Sequence, residues 1–316
     1  MATGPLVSII TPAYNAATYI SATARSVLAQ TFTAWEWIVV DDGSTDATPE
    51  LVTGFADPRI RLMQGGHSGL PAVARNRGLQ AVRGELVAFL DADDVWAPEK
   101  LALQTAYLRA HPAAGLVFTA YRSWFERYRR LRQRPEPALG GLPNPGDLTV
   151  ALYFQNLICT SSMLLRRELL TTYGGFDEDV RQRGTEDYEL WLRLAPRTLV
   201  GFIAQPLVFY RVHPENLSHQ WRPIAQGAAL AREKLLRRYP DLGLHPALGA
   251  TRVVAHRLRW AGIAALLDGD TASGMAALLQ SVRHQPFQRE TWLWLGLSCL
   301  GPSLNMRLRQ VRHRFL

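Results

Sequence analysis

Short apolar runs and longer helical patterns alternate through the first 110 residues. Leu6 to Thr11 is an apolar-rich run of strand length, and beyond it Ile20, Ala24, Val27 and Leu28 fall at spacings that share one helical face. A second β-rich run, Trp35 to Val40, stops at Asp41-Asp42-Gly43-Ser44-Thr45-Asp46, after which Pro49 and Glu50 open a helix with N-terminal residue types. Arg59 to Met63 predicts a third strand. The link Gly65-Gly66-His67-Ser68-Gly69 leads to a helix around Ala72 to Val82, and Leu86 to Leu90 predicts a fourth strand that ends at Asp91-Ala92-Asp93-Asp94. Pro98 starts the next helix. Alternation at this pace implies right-handed βαβ crossovers and a mostly parallel sheet with helices on both faces. Ligands of such sheets bind outside the carboxyl ends of the strands, where both acidic clusters fall.

Farther along, Arg122, Arg127, Arg129, Arg130, Arg132 and Arg134 fill a segment that runs into Pro135, Pro137, Pro143 and Pro145, the pattern of a long basic loop. It reads as a solvated excursion or as a contact for an anionic acceptor or lipid. From Trp221 onward β-type runs vanish, and helices are expected over Ala228 to Tyr239, Arg252 to Leu267, Ser273 to His284 and near Trp292. Gly269-Asp270 and the small-residue helix after it resemble half of a helical-hairpin repeat, but no second copy follows at a fixed period.

Composition narrows the class. At roughly 150 residues per domain, 316 residues suggest about two domains. With 47% hydrophobic and 20% charged residues, collagen-like, low-complexity and disulfide-scaffold chains are excluded. Cys159 and Cys299 are far apart and form no CxxC, which argues against zinc and for a reducing compartment. Thirty-five Lys+Arg against 27 Asp+Glu leave a net charge of +8, which favours anionic partners. No charged residue precedes Arg25, yet Pro5, Pro12 and Asn15 interrupt the apolar start and no basic region leads it, so a secretory signal is not expected. No membrane span is expected either, since the best stretch, Thr291 to Leu304, is short and contains Gly296 and Pro302.

The two acidic clusters carry the chemistry. Asp42 and Asp93 sit at the ends of different strands, an arrangement that brings their carboxylates to one cleft. Carboxylates beside a phosphate-bearing ligand repel it unless a hard divalent cation, Mn²⁺ or Mg²⁺, stands between them. Neither GxxxxGK[ST] nor a GxGxxG after a strand is present, so P-loop and dinucleotide-binding readings lack their anchor.

Val7-Ser8-Ile9-Ile10-Thr11-Pro12-Ala13-Tyr14-Asn15, Val39-Val40-Asp41-Asp42-Gly43-Ser44-Thr45-Asp46, Ala74-Arg75-Asn76-Arg77-Gly78 and Phe89-Leu90-Asp91-Ala92-Asp93-Asp94, in that order, resemble the motif set of family 2 glycosyltransferases. Gly174-Gly175-Phe176-Asp177, Thr185-Glu186-Asp187-Tyr188-Glu189-Leu190-Trp191 and Tyr210-Arg211-Val212-His213 are similar to that family's acceptor-side motifs. The resemblance spans roughly residues 5 to 220. It implies a GT-A domain over 1–220, with a nucleotide-sugar part over about 1–120 and an acceptor part over about 121–220, followed by an α-helical region over 221–316. It also implies a nucleotide-diphosphate sugar donor and transfer with inversion.

Site roles carry over with the resemblance. Tyr14 is expected against the base with Pro12 shaping the pocket, and Asp42 accepts a hydrogen bond from the base, which suits uracil. Asp91 and Asp93 form the DxD element with Asp94 adjacent; one carboxylate is expected to face the ribose and another the metal, and the sequence leaves open which does which, with Asp91 assigned to the nucleotide and Asp93, Asp94 and His213 to the metal. Asp187 matches the family's general base, with Glu186 and Trp191 on the acceptor side. Inversion needs one carboxylate to take the acceptor proton while charge on the departing diphosphate is stabilised.

Each cluster has a plainer use. Asp41 to Asp46 is a good turn and cap, Asp91 to Asp94 suit a helix N-terminus, and Glu186 and Asp187 are good first-turn acids. A lone His213 serves equally as a hydrogen-bonded residue, and His67 is unassigned. A non-catalytic nucleotide-sugar binding protein would keep Asp42 and the DxD element but dispense with Asp187. A nucleic-acid module is disfavoured, since no zinc-finger or RNA-motif signature appears. The chain lacks a QxxRW element, so transfer of single sugars is expected. The acceptor is a glycan, a lipid-linked saccharide or a small molecule, and the location is cytoplasmic. Peripheral contact with the inner membrane face is suggested by Trp292, Leu293, Trp294, Leu295, Leu297 and Leu300, followed by Arg307, Arg309, Arg312 and Arg314. Packing of that stripe inside the protein is the alternative.

Overall fold

The computed structural model of the chain describes residues 4–125, 130–133, 145–244 and 250–298. Four strands open it: β1 (Val7–Ala13), β2 (Trp35–Asp41), β3 (Ile60–Gln64) and β4 (Leu86–Phe89). They pair in parallel in the order β3-β2-β1-β4. Strands covered on both faces are mostly apolar, and every residue of β2 and β4 is buried, Glu36 of β2 through its bonds with Ser8 and Arg61. Helices α1 (Ile20–Leu28), α2 (Thr48–Thr53) and α3 (Pro71–Leu79) make the crossovers, and α4 (Lys100–Ala110) follows them. Helix α1 buries Ile20, Ala24 and Val27 in the core with Ile9, Trp37 and Val39. On the other side α3 lies close to β1 because Gly78 has no side chain there; a Cβ would stand 2.7 Å from Ile10 Cγ2.

The sheet then changes character. β5 (Val95–Trp96), β6 (Ala114–Phe125), β7 (Arg130–Gln133), β8 (Leu164–Arg166) and β9 (Leu199–Val212) extend it to the order β3-β2-β1-β4-β8-β6-β9-β5, with β7 on β6. β8 runs antiparallel to both β4 and β6, and β5 antiparallel to β9, whereas β6 and β9 are parallel. The parallel sheet expected from the sequence is therefore the first half of a mixed one. The expected basic loop is corrected too: Arg122 lies in β6, and Arg130 and Arg132 lie in β7, paired antiparallel to β6 as a hairpin. Arg127, Arg129 and Arg134 lie outside the described residues.

Helices α5 (Pro145–Phe154), α6 (Arg167–Tyr173) and α7 (Glu186–Leu194) accompany these strands. α7 is amphipathic and drives Tyr188, Leu190, Trp191, Leu192 and Leu194 inward. A turn of 3-10 helix, Thr160–Ser162, stands before β8.

Contacts divide the chain into two compact units, residues 1–232 and 233–316. Helix α8 (Trp221–Arg238) begins in the first. The second holds α9 (Ala250–Asp268), α10 (Thr271–His284) and α11 (Arg289–Ser298). Asp270 caps α10 by accepting from the Ser273 amide, 3.0 Å away. Gly262 and Gly274 let α9 and α10 touch, since a Cβ on Gly262 would lie 2.8 Å from the Gly274 carbonyl oxygen. Among the described residues no helix is long and apolar enough to cross a membrane.

Candidate active site

The acidic turn after β4 is held by residues far away in sequence. Thr23 Oγ1 donates to the carbonyls of Ala92 and Asp94, each at 2.8 Å, so α1 fixes the turn from one side. From the other side, the Arg211 amide donates to Asp94 Oδ1 (3.0 Å) and its Nε to the Asp93 carbonyl (2.8 Å). Ser161 Oγ donates to Asp94 Oδ2 at 2.6 Å and accepts from the Asp91 amide at 3.0 Å. Burial and the charges of Asp93 and Asp91 push the Asp94 carboxyl well above its ordinary range. Asp94 has no exposed surface, so its side chain holds the turn in place and does not face a ligand.

Asp91 and Asp93 are each about a quarter exposed. Asp93 Oδ2 lies 2.9 Å from His213 Nε2, and the His213 ring stacks on Tyr19 with centroids 4.6 Å apart. Asn216 Oδ1 accepts from the His213 amide, which anchors the segment after β9. Adjacent ligand atoms around a cation with bonds of about 2.1 Å stand about 3 Å apart. The carboxylate and imidazole pair of Asp93 and His213 therefore fits a small divalent cation. Among the described residues no cluster of three or more potential ligands forms, so donor phosphates or water would complete such a shell.

The residue after Cys159 links this turn to α7. Thr160 Oγ1 donates to Asp187 Oδ2 at 2.8 Å, while its neighbour Ser161 holds Asp91 and Asp94. Two consecutive hydroxyls thus hold the three carboxylate-bearing positions around one corner. Asp187 Oδ1 also accepts from the Tyr188 amide. The Asp187 carboxyl is pushed up to about 6, first by burial and then by the charge of Glu186, against the bond from Thr160 and the charge of Arg75. A carboxylate tuned to that range is suited to proton transfer near neutral pH.

Arg75 closes the corner. Its Nη1 donates to Glu186 Oε1 at 2.6 Å and its Nη2 to Asp91 Oδ1 at 2.7 Å, while Glu186 Oε2 accepts from the Gly184 amide. The next residue, Asn76, donates to the Phe176 carbonyl and accepts from the Phe176 amide, which pins the Gly174-Gly175-Phe176 turn to α3.

At the β1 and β2 ends the Tyr14 ring is 47% exposed and stacks on His67 with centroids 4.1 Å apart. Asp42 is buried and accepts from the Ser68 amide, the Ser68 hydroxyl and the Gly69 amide at 2.8–3.0 Å. Its carboxylate anchors the 65–69 loop beneath those rings. Pro12 lies near the end of β1, paired with Val40. Asn15 joins the two turns by donating from its amide to Ser44 and accepting from the Thr45 amide.

Of the residues singled out from the sequence, Asp91, Asp93, His213, Glu186 and Asp187 meet at one corner. Tyr14, Pro12 and Asp42 lie at the neighbouring strand ends. Trp191 is 1% exposed and packs against Phe89, so it is interior and offers nothing to an acceptor. Glu186 is likewise spent on Arg75 and Gly184. Thr160, Ser161 and Asn216 carry no sequence signal, because isolated hydroxyls and amides acquire a role only through partners a long way along the chain; Arg211, like the arginine of α3, sits inside a motif that gave it no role. Arg75 was visible inside a motif without a role, and His67 had none until its ring met Tyr14.

Residues 8–174 match the model of the family described as glycosyl transferase family 2, more than half of the chain. TuaG of Bacillus subtilis (strain 168), named for teichuronic acid biosynthesis, is 33% identical over 224 residues, 69% of this chain and 84% of that one. WfgD of Escherichia coli, a UDP-Glc:alpha-D-GlcNAc-diphosphoundecaprenol beta-1,3-glucosyltransferase, is 46% identical over 103 residues, 33% of this chain and 41% of that one. Among solved structures, Staphylococcus aureus TarS 1–349 in complex with UDP-GlcNAc superposes with a TM-score of 0.60 at 16% identity, over 98% of this chain and 91% of that one. The Pyrobaculum calidifontis mannosyltransferase PcManGT, in complex with GDP-Man and Mn²⁺, gives 0.55 at 23%, over 99% of this chain and 88% of that one. The fold is thus GT-A, and the ordered acidic turns, the family match and the TuaG alignment lead to one identification: this chain belongs to glycosyl transferase family 2 and is a glycosyltransferase.

Proposed function

We propose that the protein is an inverting glycosyltransferase that moves a sugar from a UDP-type donor to a hydroxyl of a lipid-linked saccharide, with Asp187 as the base. The observation that carries this reading is the pair Thr160-Ser161, whose adjacent hydroxyls bind Asp187 on one side and the Asp91–Asp94 turn on the other. In the reaction the acceptor oxygen attacks the anomeric carbon, the bond from that carbon to the diphosphate oxygen breaks with its electron pair, and the acceptor proton passes to Asp187. A single displacement of this kind inverts the configuration. A cation of the Mn²⁺ or Mg²⁺ type, held by Asp93 and His213, would neutralise charge on the leaving diphosphate. Asp91 faces the donor ribose, and Tyr14 with His67 supplies the stacking surface for the base. Asp42 anchors the loop that carries His67. UDP-sugar use is favoured by the activity for which WfgD is named, and so is a diphosphate lipid as the acceptor's carrier.

A donor panel tests the assignment: nucleotide release from UDP-, GDP- and dTDP-sugars, each with Mn²⁺, Mg²⁺ or chelator. Release with UDP-sugars that chelator abolishes is expected, and Asp187→Asn lowers turnover by about 10²–10⁴-fold with little change in donor KM. Near wild-type turnover in that variant removes Asp187 from the mechanism.

A lipid-linked acceptor calls for membrane contact at the cytoplasmic face. The second unit supports it: Phe287 is 93% exposed, and Arg289, Trp292, Leu293 and Gly296 form the outward stripe of α11 while Thr291, Leu295 and Ser298 face inward. Two large apolar side chains of that helix, Trp292 and Leu293, therefore face solvent, beside exposed Arg283 and Arg289 and one exposed acid, Glu290. After Glu290 the sequence contains no acidic residue, and Arg307, Arg309, Arg312 and Arg314 follow, in a segment outside the described residues. Flotation with anionic vesicles, weakened by Trp292→Ala with Leu293→Ala and absent with neutral vesicles, is expected; equal flotation of wild type and variant removes this contact.

A further inference from the structure

The Arg75 guanidinium is the only described group that bonds both the donor-side turn and the acceptor-side helix through side-chain carboxylates, Asp91 at 2.7 Å and Glu186 at 2.6 Å. Its side chain is 5% exposed, and the guanidinium carbon lies 5.2 Å from the centre of the Phe176 ring. Its surroundings are costly for a charge without partners and favourable with two. α3 supplies the arginine, and Gly78 lets that helix sit against β1, so the guanidinium is delivered from a rigid element. Asp91 and Glu186 are 95 positions apart, and no local rule of helix or turn would place them on one cation.

We propose that Arg75 is a positioning residue for the transfer reaction: it ties the donor-binding turn to helix α7 and screens the base Asp187 from the negative charge of its neighbour Glu186. The inference rests on the assignment of Asp187 as the base and deepens it. Adjacent acids at the start of a helix repel, and a cation fixed on the first of them relieves the second. The groups facing Asp187 are Glu186 and Tyr188 from its own helix, Arg75 from α3, and Cys159 with Thr160 from the segment before β8. Burial raises both the Cys159 thiol and the Tyr188 hydroxyl, so neither carries charge near pH 6. Glu186 and Arg75 are left as the charged neighbours that act on the base, in opposite directions.

The opposition provides the test. The acid limb of the kcat profile is measured at saturating donor and metal for wild type, Arg75→Met, Glu186→Gln, the double variant and Arg75→Lys, with folding of each checked by circular dichroism. Arg75→Met is expected to move the limb up by about 1–3 pH units, the range for loss of a close opposite charge, and Glu186→Gln to move it down. Arg75→Lys retains a charge and keeps the limb near wild type while kcat falls, because an ammonium lacks the fork that spans two carboxylates. Should Arg75→Met not fold with an orphaned Glu186, the double variant removes both charges, and its limb is expected above that of Glu186→Gln alone. Limbs at one pH in Glu186→Gln and the double variant overturn the role of Arg75 while leaving Asp187 as the base. A wild-type profile with no acid limb, or a turnover insensitive to Asp187→Asn, overturns both.

Discussion

The two acidic pairs of the site, Asp93-Asp94 after β4 and Glu186-Asp187 at the start of α7, solve the same electrostatic problem differently. Each pair sets two carboxylates side by side, and each splits into one closed member and one open member. Asp94 is closed by neutral donors, the Ser161 hydroxyl and the Arg211 amide, and its carboxyl is pushed well above the usual range. Glu186 is closed by a cation and an amide, Arg75 and Gly184. The open members, Asp93 and Asp187, keep only part of their hydrogen-bonding capacity occupied and are partly exposed. The closed acid holds the backbone so that the open acid can remain available, and the choice of partner sets the charge felt next door. Neutral donors leave Asp94 prone to protonation, whereas a guanidinium lets Glu186 and Asp187 sit together in a buried corner.

Substitutions at Asp187 and Asp94 are expected to have opposite effects on stability, and one at Asp93 almost none. The largest is at Asp187. Its carboxyl is raised from 3.8 to about 6 in the folded protein, so the folded state favours the protonated form. Its burial costs nothing below pH 4 and about 3 kcal/mol once pH passes 6, at about 1.4 kcal/mol for each of two units. Asp187→Asn should gain up to about 3 kcal/mol in urea unfolding at pH 8, with the gain shrinking toward pH 5; no pH dependence in the difference would break the comparison. Asp94→Ala should go the other way, losing about 1–3 kcal/mol because the buried Ser161 hydroxyl loses the carboxylate it donates to at 2.6 Å. Asp93→Asn, at a quarter-exposed position, should stay within about 0.5 kcal/mol of wild type in stability while losing its activation by Mn²⁺ or Mg²⁺. A stability loss at Asp93 as large as that at Asp94 would mean that the pair is not divided in this way.

The first half of the molecule was legible because its signals are local. Strand-length apolar runs such as Trp35 to Val40 and the Pro49-Glu50 helix start need no distant partner to be read, and the acidic turns mark strand ends directly. The second half hid its design. β8 has three residues, too few for any periodic pattern, yet it reverses the sheet between β4 and β6. The arginine-rich segment looked like a loop because charge dominates its composition, while Arg130 to Gln133 pair as an edge strand, where charged side chains are well tolerated. Trp191 sat within an apparent acceptor motif, and the packing of α7, buried along nearly its whole length and set against Phe89, turns it inward.

The order of motifs and the alternation of strand and helix, both properties of neighbouring residues, were enough to determine the class of fold and the types of residue at its rim. Which carboxylate of each pair stays open was decided by the tertiary structure. That choice depends on donors from Arg75, Ser161 and Arg211, which chain folding brings from 67 to 117 positions away. A carboxylate's charge state follows from burial and nearby partners rather than from its place in a motif.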